Sequence, residues 1–320
     1  MSIPQQTQQG KWGTKKVKAA AVASLMYAAG MERRAGQVAS CSDRLEWAWC
    51  PECGKMHISR AWLCRDRLCP VCSWRLSLRR GGQLSAVVGQ IVQERPETRL
   101  ALLTLTLASV PAVELEQTIR HMLKSWARIS KRTAILEAVE GWARSLEITS
   151  HDGMYHPHLH VILVYKPQGY IDQAKWVKMW KESARLKYTP VCDIRAVSAE
   201  KDPSADRSLM GAIAEVCKYV SKSEEILHIP PTELPYYAAA IADVRLCGYG
   251  GIIADLRKKL KQTDSLPNVV SDQTLSCPDC GWDGRLRVVY EWATSDMRYR
   301  LVSALPEENE DAAEITAYEP

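Results

Sequence analysis

The run His156-Pro157-His158-Leu159-His160-Val161-Ile162-Leu163-Val164 places an imidazole at every second residue and continues into an apolar segment. On a strand, His158 and His160 project from one face while Leu159 and Val161 enter the core. Two adjacent imidazoles can hold a divalent ion and leave positions open for a carboxylate, water and phosphate oxygens. That is what a catalytic metal needs in order to polarise a phosphodiester. The bland alternative, histidines satisfied at a sheet surface, is weakened by the alternation of three beside a long apolar run. Glu147, between Leu146 and Ile148 on a preceding strand, is the expected third ligand through hairpin pairing, with His151, Asp152 and His156 as rivals; from spacing alone it reads equally well as a plain exposed strand glutamate.

A second constellation is Glu215-Val216-Cys217-Lys218-Tyr219-Val220-Ser221-Lys222. On a helix, Glu215 and Tyr219 are one turn apart and Lys222 follows on the same face, so acid, phenol and amine are presented together. A tyrosinate can attack a phosphodiester and store the bond as a phosphotyrosine. Lys222 would lower the phenol's pKa or hold the phosphate. Taken alone this helix reads more readily as a solvated face, and only the histidine strand raises it.

Cysteine supplies the third. Cys50-Pro51-Glu52-Cys53 and Cys69-Pro70-Val71-Cys72 are knuckles at the spacing of a structural zinc site, with Cys64 between them as a substitute ligand. Cys277 and Cys280 either join a second site with Cys41, Cys64 or His57, or stand as an incomplete knuckle. Eleven cysteines in a 320-residue chain without a secretory signal point to a reducing, cytoplasmic setting and metal binding rather than disulfides. No apolar run is long enough for a membrane span.

The elements that must position these residues read as an α+β fold on an antiparallel sheet with helices on one face. Strands are expected over 99–107, 142–149, 158–165 and 191–197, with a hairpin turn at Gly153. Helices are expected over 73–95, 113–130, 172–188 and 208–226. After Pro230 come a helix over 236–244, a Gly-rich turn over 248–251 and a basic helix ending at Lys261. Thr104 and Thr106 share one strand face, where packing is the plainer reading of their hydroxyls. The formal charge is +5, yet residues 307–320 hold six acids and no base, so the body is markedly basic. Arg65, Arg67, Arg75 and Arg79, with Lys218, are candidate phosphate contacts.

In order along the chain, the Arg-rich knuckle 67–72, the strand 103–106, the histidine strand 156–164 and the segment 215–222 resemble the rolling-circle plasmid replication initiators of the HUH endonuclease superfamily. The resemblance covers about half the chain and rests most specifically on the His-hydrophobe-His strand followed by Glu-x3-Tyr. It implies a single-tyrosine nickase and strand transferase. His158 and His160 would bind Mg²⁺ or Mn²⁺, Tyr219 would cut the origin to leave a 5′-phosphotyrosine and a free 3′-OH, and Glu215 would activate water at termination. Ser223 stands one turn after Tyr219, which disfavours the two-tyrosine type.

The organisation then expected is a flexible N-terminal arm (1–40), a zinc-binding module and helix (41–95), an HUH nuclease core (96–228), a C-terminal segment with a knuckle (229–306) and an acidic tail (307–320). Partners would be plasmid origin DNA, duplex and single-stranded, and a host helicase; no membrane is involved. An HUH-type single-tyrosine transposase and a non-catalytic zinc-dependent DNA-binding regulator are the competing readings.

Overall fold

The computed structural model describes residues 9–197, 208–217, 223–267, 277–282 and 285–306. The chain begins with α1 (Gln9–Ala28), α2 (Glu32–Ala39), β1 (Arg44–Trp49), β2 (Met56–Ala61), α3 (Pro70–Glu94), β3 (Arg99–Thr106), β4 (Val110–Pro111), α4 (Ala112–Ile129), α5 (Thr133–Ala138) and β5 (Val139–His151). It continues through β6 (Met154–Tyr165), α6 (Gln173–Ser183), β7 (Cys192–Val197), α7 (Leu209–Cys217), α8 (Ser223–Leu227), α9 (Leu234–Ala242), β8 (Cys247–Gly251), α10 (Ile252–Gln262), β9 (Leu286–Ala293) and β10 (Arg298–Pro306). The class is α+β with antiparallel sheets. Two compact units form, one from residues 1–17, 40–64 and 270–320, the other from 18–39 and 65–269. Among the described residues no helix is long and apolar enough to cross a membrane.

In the first unit a sheet runs β10-β9-β1-β2, every pair antiparallel. Its core is aromatic: Trp47, Trp49 and Tyr290 are buried, and Trp12 meets Trp47 edge-on at 6.4 Å. Residues 9–28, expected as part of a flexible arm, are helical, and Trp12, Ala19, Val22, Ala23 and Met26 are buried. The sequence concealed this because alanines lie on both faces, Ala19 and Ala23 buried and Ala21 and Ala28 exposed, which leaves little hydrophobic contrast. The C-terminal strands, expected as a separate segment, share a sheet with β1 instead.

The sheet of the second unit runs β7-β3-β6-β5-β8, with β4 paired to β6. β6 lies between β3 and β5, and its apolar run is buried on both sides: Leu159, Val161, Ile162, Leu163 and Val164 are all 0% exposed. That is why helices cover both faces rather than the one expected. Leu103, Leu105, Leu159, Val161 and Leu163 point toward α4 and α6, where Trp126 packs edge-on to Trp142 at 5.1 Å and Trp176 Nε1 donates to Tyr165 Oη. On the other face Leu100, Ala143, Ile162 and Val164 pack against α3, α7 and α10 through Val87, Val88, Ile91, Ile213, Val216 and Ile253. Each such fully buried Val, Ile or Leu contributes about 1.5–3 kcal/mol. This second core ends at Ile162, and the same face turns polar from His160 to His156.

Residues 248–251, expected as a Gly-rich turn, form most of the edge strand β8 against β5. The glycines serve close approach. A Cβ on Gly250 would lie 2.4 Å from the Trp142 ring, and Gly251 has φ +57°.

Candidate active site

Strand register builds the site. His158 lies opposite Glu147 on β5 and Thr106 on β3, and His160 lies opposite Ser145 and Thr104. Cross-strand partners share a face, so two imidazoles, a carboxylate and three hydroxyls converge on the polar half of the sheet. Glu147 Oε2 is 2.7 Å from His160 Nε2 and 3.8 Å from His158 Nε2. The three donor atoms all lie within 4.8 Å of one another. Adjacent ligands on an ion with ~2.1 Å bonds stand about 3 Å apart, so the donor set fits a divalent metal without rearrangement of the backbone. Glu147 and His160 are each 7% exposed, and a carboxylate so buried calls for a cationic partner.

Surrounding groups orient the ligands. His160 Nδ1 shares a hydrogen bond with Thr104 Oγ1 at 3.2 Å; donation from Nδ1 leaves the Nε2 lone pair for an ion. The His156 ring lies tilted against that of His158 with centroids 5.0 Å apart, and its Nδ1 bonds Ser109 Oγ at 3.0 Å. The rivals His151 and Asp152 pair with each other at the β5–β6 turn, their side chains 90% and 87% exposed, away from this cluster. Thr104 could be read as a ligand-orienting residue only once its register opposite His160 was known. Ser109 had no signal in the sequence.

Burial pushes the His158 imidazole down to about 4, against the opposing pull of Glu147, and Glu215 also raises it. Burial lowers His156 as well. Neutral imidazoles are what a metal requires. The shift on His158 makes stability pH-dependent. Its folded pKa is below the unfolded value of 6.5, so the unfolded chain binds more protons between the two. His158 therefore imposes no penalty above pH ~6.5. As pH falls toward about 4, stability should decline by about 3 kcal/mol. Urea unfolding at pH 7, 5.5 and 4.5 without added divalent ion should show this decline in wild type and a flatter profile in His158→Gln; parallel profiles would remove the argument.

α7 lies across this face, burying Ala212, Ile213, Val216 and Cys217. Its last carbonyl, of Cys217, accepts from Ser77 Oγ of α3 at 2.5 Å. Half-buried Glu215 is among the charges that act on His158, so the helix predicted to carry acid and phenol does border the histidines. Lys218, Tyr219 and Lys222 lie outside the described residues.

The arginines divide. Arg67 Nη1 donates to the carbonyls of Ile241 and Val244. Arg75 is 8% exposed, and burial lowers its pKa. Arg75 is thus buried within the fold, whereas Arg67 is exposed as a residue while holding those two carbonyls. Arg65 is exposed and Arg79 half-buried. The cysteines are also redistributed. Cys50 and Cys53 gather with Cys277 and Cys280, not with Cys69 and Cys72. Cys69 caps the N-terminus of α3, and Cys72 Sγ accepts the Arg65 N–H at 3.2 Å. Cys64 N–H donates to Cys41 Sγ at 3.4 Å, and His57 bonds Asp279.

Residues 55–300 match the family model described as replication protein. A protein rep from Streptococcus pneumoniae serotype 2 is 32% identical, over 70% of this chain and 71% of that protein. Those from Lentilactobacillus hilgardii and Lactiplantibacillus plantarum are each 31% identical, over 72% and 81% of this chain and 77% and 85% of theirs. No solved structure matches at a significant level. With three quarters of its length under the family model and relatives above 30% identity, the chain belongs to the replication protein family, as a rolling-circle plasmid replication initiator.

Proposed function

We propose that the chain starts rolling-circle replication by nicking one strand of its plasmid's origin, with Tyr219 as nucleophile and Glu147, His158 and His160 as ligands of a catalytic divalent ion. The observation that carries this reading is the buried carboxylate and two imidazoles on one sheet face, bordered by the helix that bears Glu215. When bound, such an ion polarises the scissile phosphate and stabilises the leaving oxygen. A mixed nitrogen and oxygen donor set suits Mn²⁺ better than Mg²⁺, which prefers oxygen alone.

The chain's own groups do the rest. The Tyr219 oxygen bonds to phosphorus as the bond from phosphorus to O3′ breaks. The departing oxygen gains a proton to become the 3′-OH primer, and the 5′ phosphate stays esterified to the phenol. Lys222 favours the phenolate or holds the phosphate, and Lys218 adds a phosphate contact. At termination Glu215 takes a proton from the attacking water or hydroxyl, so that a single tyrosine suffices. Arg65, Arg67 and Arg79 contact the DNA backbone, with buried Arg75 behind them on α3. The cysteine-rich unit engages the duplex, and the nuclease unit acts on the extruded single strand.

The test uses single-stranded DNA carrying the origin nick site, labelled at either end, with Mn²⁺ or a chelator. An SDS-resistant adduct on the 5′ side of the cut that needs the ion is the expected result. Binding with no cleavage under any divalent ion would overturn the reading in favour of a zinc-dependent DNA-binding regulator.

A further inference from the structure

The first unit holds a repeated turn that the nuclease reading does not use. Cys50-Pro51-Glu52-Cys53-Gly54 and Cys277-Pro278-Asp279-Cys280-Gly281 share the pattern Cys-Pro-acid-Cys-Gly across more than two hundred residues. The backbone repeats it. Gly54 N–H donates to the Cys50 carbonyl at 2.8 Å, and Gly281 N–H to that of Cys277 at 2.7 Å. Cys50 N–H reaches the Lys55 carbonyl and Cys277 N–H that of Trp282, both at 2.9 Å. Gly54 and Gly281 both take the left-handed conformation, φ +71° and +72°, which only glycine adopts without strain. Cys69-Pro70-Val71-Cys72 lacks that glycine and continues into α3 instead.

The two turns bring their sulfurs together. Cys50 Sγ is 3.6 Å from Cys280 Sγ, Cys53 Sγ is 3.6 Å from Cys277 Sγ, and all four lie within 4.8 Å of one another. A disulfide would need about 2.05 Å. A tetrahedron with ~2.3 Å metal–sulfur bonds has edges of about 3.8 Å. The surroundings suit a negative cluster. Asp279 bonds Lys55 Nζ through one oxygen and His57 Nε2 through the other, each at 2.7 Å, which pins the second turn to β2 and sets an ammonium beside the sulfurs.

We propose that Cys50, Cys53, Cys277 and Cys280 bind one zinc ion as four thiolates, clasping the C-terminal hairpin β9–β10 to the N-terminal hairpin β1–β2. The thiol protons pass to solvent and no electrons move. Four thiolates and no open position make the site structural rather than catalytic. The family match begins at residue 55, beyond Cys50 and Cys53, so the first knuckle plays no part in identifying the family. The zinc clasp does not depend on the nicking chemistry.

Metal content of the purified full chain tests it. Cys53→Ser/Cys280→Ser should hold one zinc fewer per chain than wild type and be cut faster by protease ahead of β9. Because that variant can fail to fold, Cys280→His provides a second arm. It should keep the metal, and in cobalt-substituted protein its thiolate charge-transfer absorption should weaken relative to wild type as one sulfur ligand is lost. Equal zinc in wild type and double variant, an unchanged cobalt spectrum in Cys280→His, or iron in place of zinc would each overturn the proposal.

Discussion

Tyr219→Phe should bind origin DNA as wild type does and form no covalent adduct, with nicking reduced at least roughly a thousand-fold. Only one oxygen is deleted, and that oxygen is the nucleophile. Among the described residues the other tyrosines near the site are poor substitutes. Tyr155, which precedes His156 on β6, is buried and donates to Glu233 Oε2 at 2.7 Å, and burial followed by Glu233 raises its pKa, which opposes the phenolate. Tyr237 is 1% exposed and raised in the same direction by burial. Tyr188 Oη accepts the Ala108 N–H. An adduct that persists in Tyr219→Phe would transfer the role elsewhere and end the present assignment. Glu215→Ala separates the two halves of the cycle. It should still form the adduct but release it about 10²–10⁴-fold more slowly. If adduct formation and release fell equally, Glu215 would be supporting the site rather than moving a proton at termination.

The elements bearing the site were legible because hydrophobic contrast was high there. Strands expected over 99–107, 142–149 and 158–165 are β3, β5 and β6 with their ends extended or trimmed, and the turn at Gly153 falls between β5 and β6. Period-two alternation fixed which residues share the histidine face, so hairpin pairing alone could bring Glu147 to the histidines, and β5 sets it opposite His158. Legibility failed where the signal was a contact rather than a pattern. Gly250 looks like a turn residue until Trp142 is seen lying against it. Alanines on both faces of α1 hid its buried side. The cysteines misled because proximity in sequence favoured pairing 50–53 with 69–72, whereas the glycine after the second cysteine was the feature that related 50–54 to 277–281.

Glu147→Gln should lose metal-dependent cleavage by at least about 100-fold while keeping its fold and its affinity for duplex DNA. The amide matches the carboxylate in shape but brings no charge to the ion. The loss should appear as a weaker Mn²⁺ affinity and be partly rescued by raising Mn²⁺. A loss of maximal rate with unchanged Mn²⁺ dependence would show that Glu147 is not a ligand. Without metal the sign reverses. A buried carboxylate beside two imidazoles, one held neutral by burial, is costly, so metal-free Glu147→Gln should unfold at an equal or higher urea concentration than wild type. His160→Ala removes a ligand too, but it strips Glu147 of its 2.7 Å partner and leaves the carboxylate buried; this variant should be destabilised without metal. Thr104→Val lies between them, keeping all three ligands and losing only the hydroxyl on His160 Nδ1, with an expected 10–100-fold loss of metal affinity. Similar cleavage losses with opposite stability changes in Glu147→Gln and His160→Ala would mark a site whose charge is tolerated for the ion it binds.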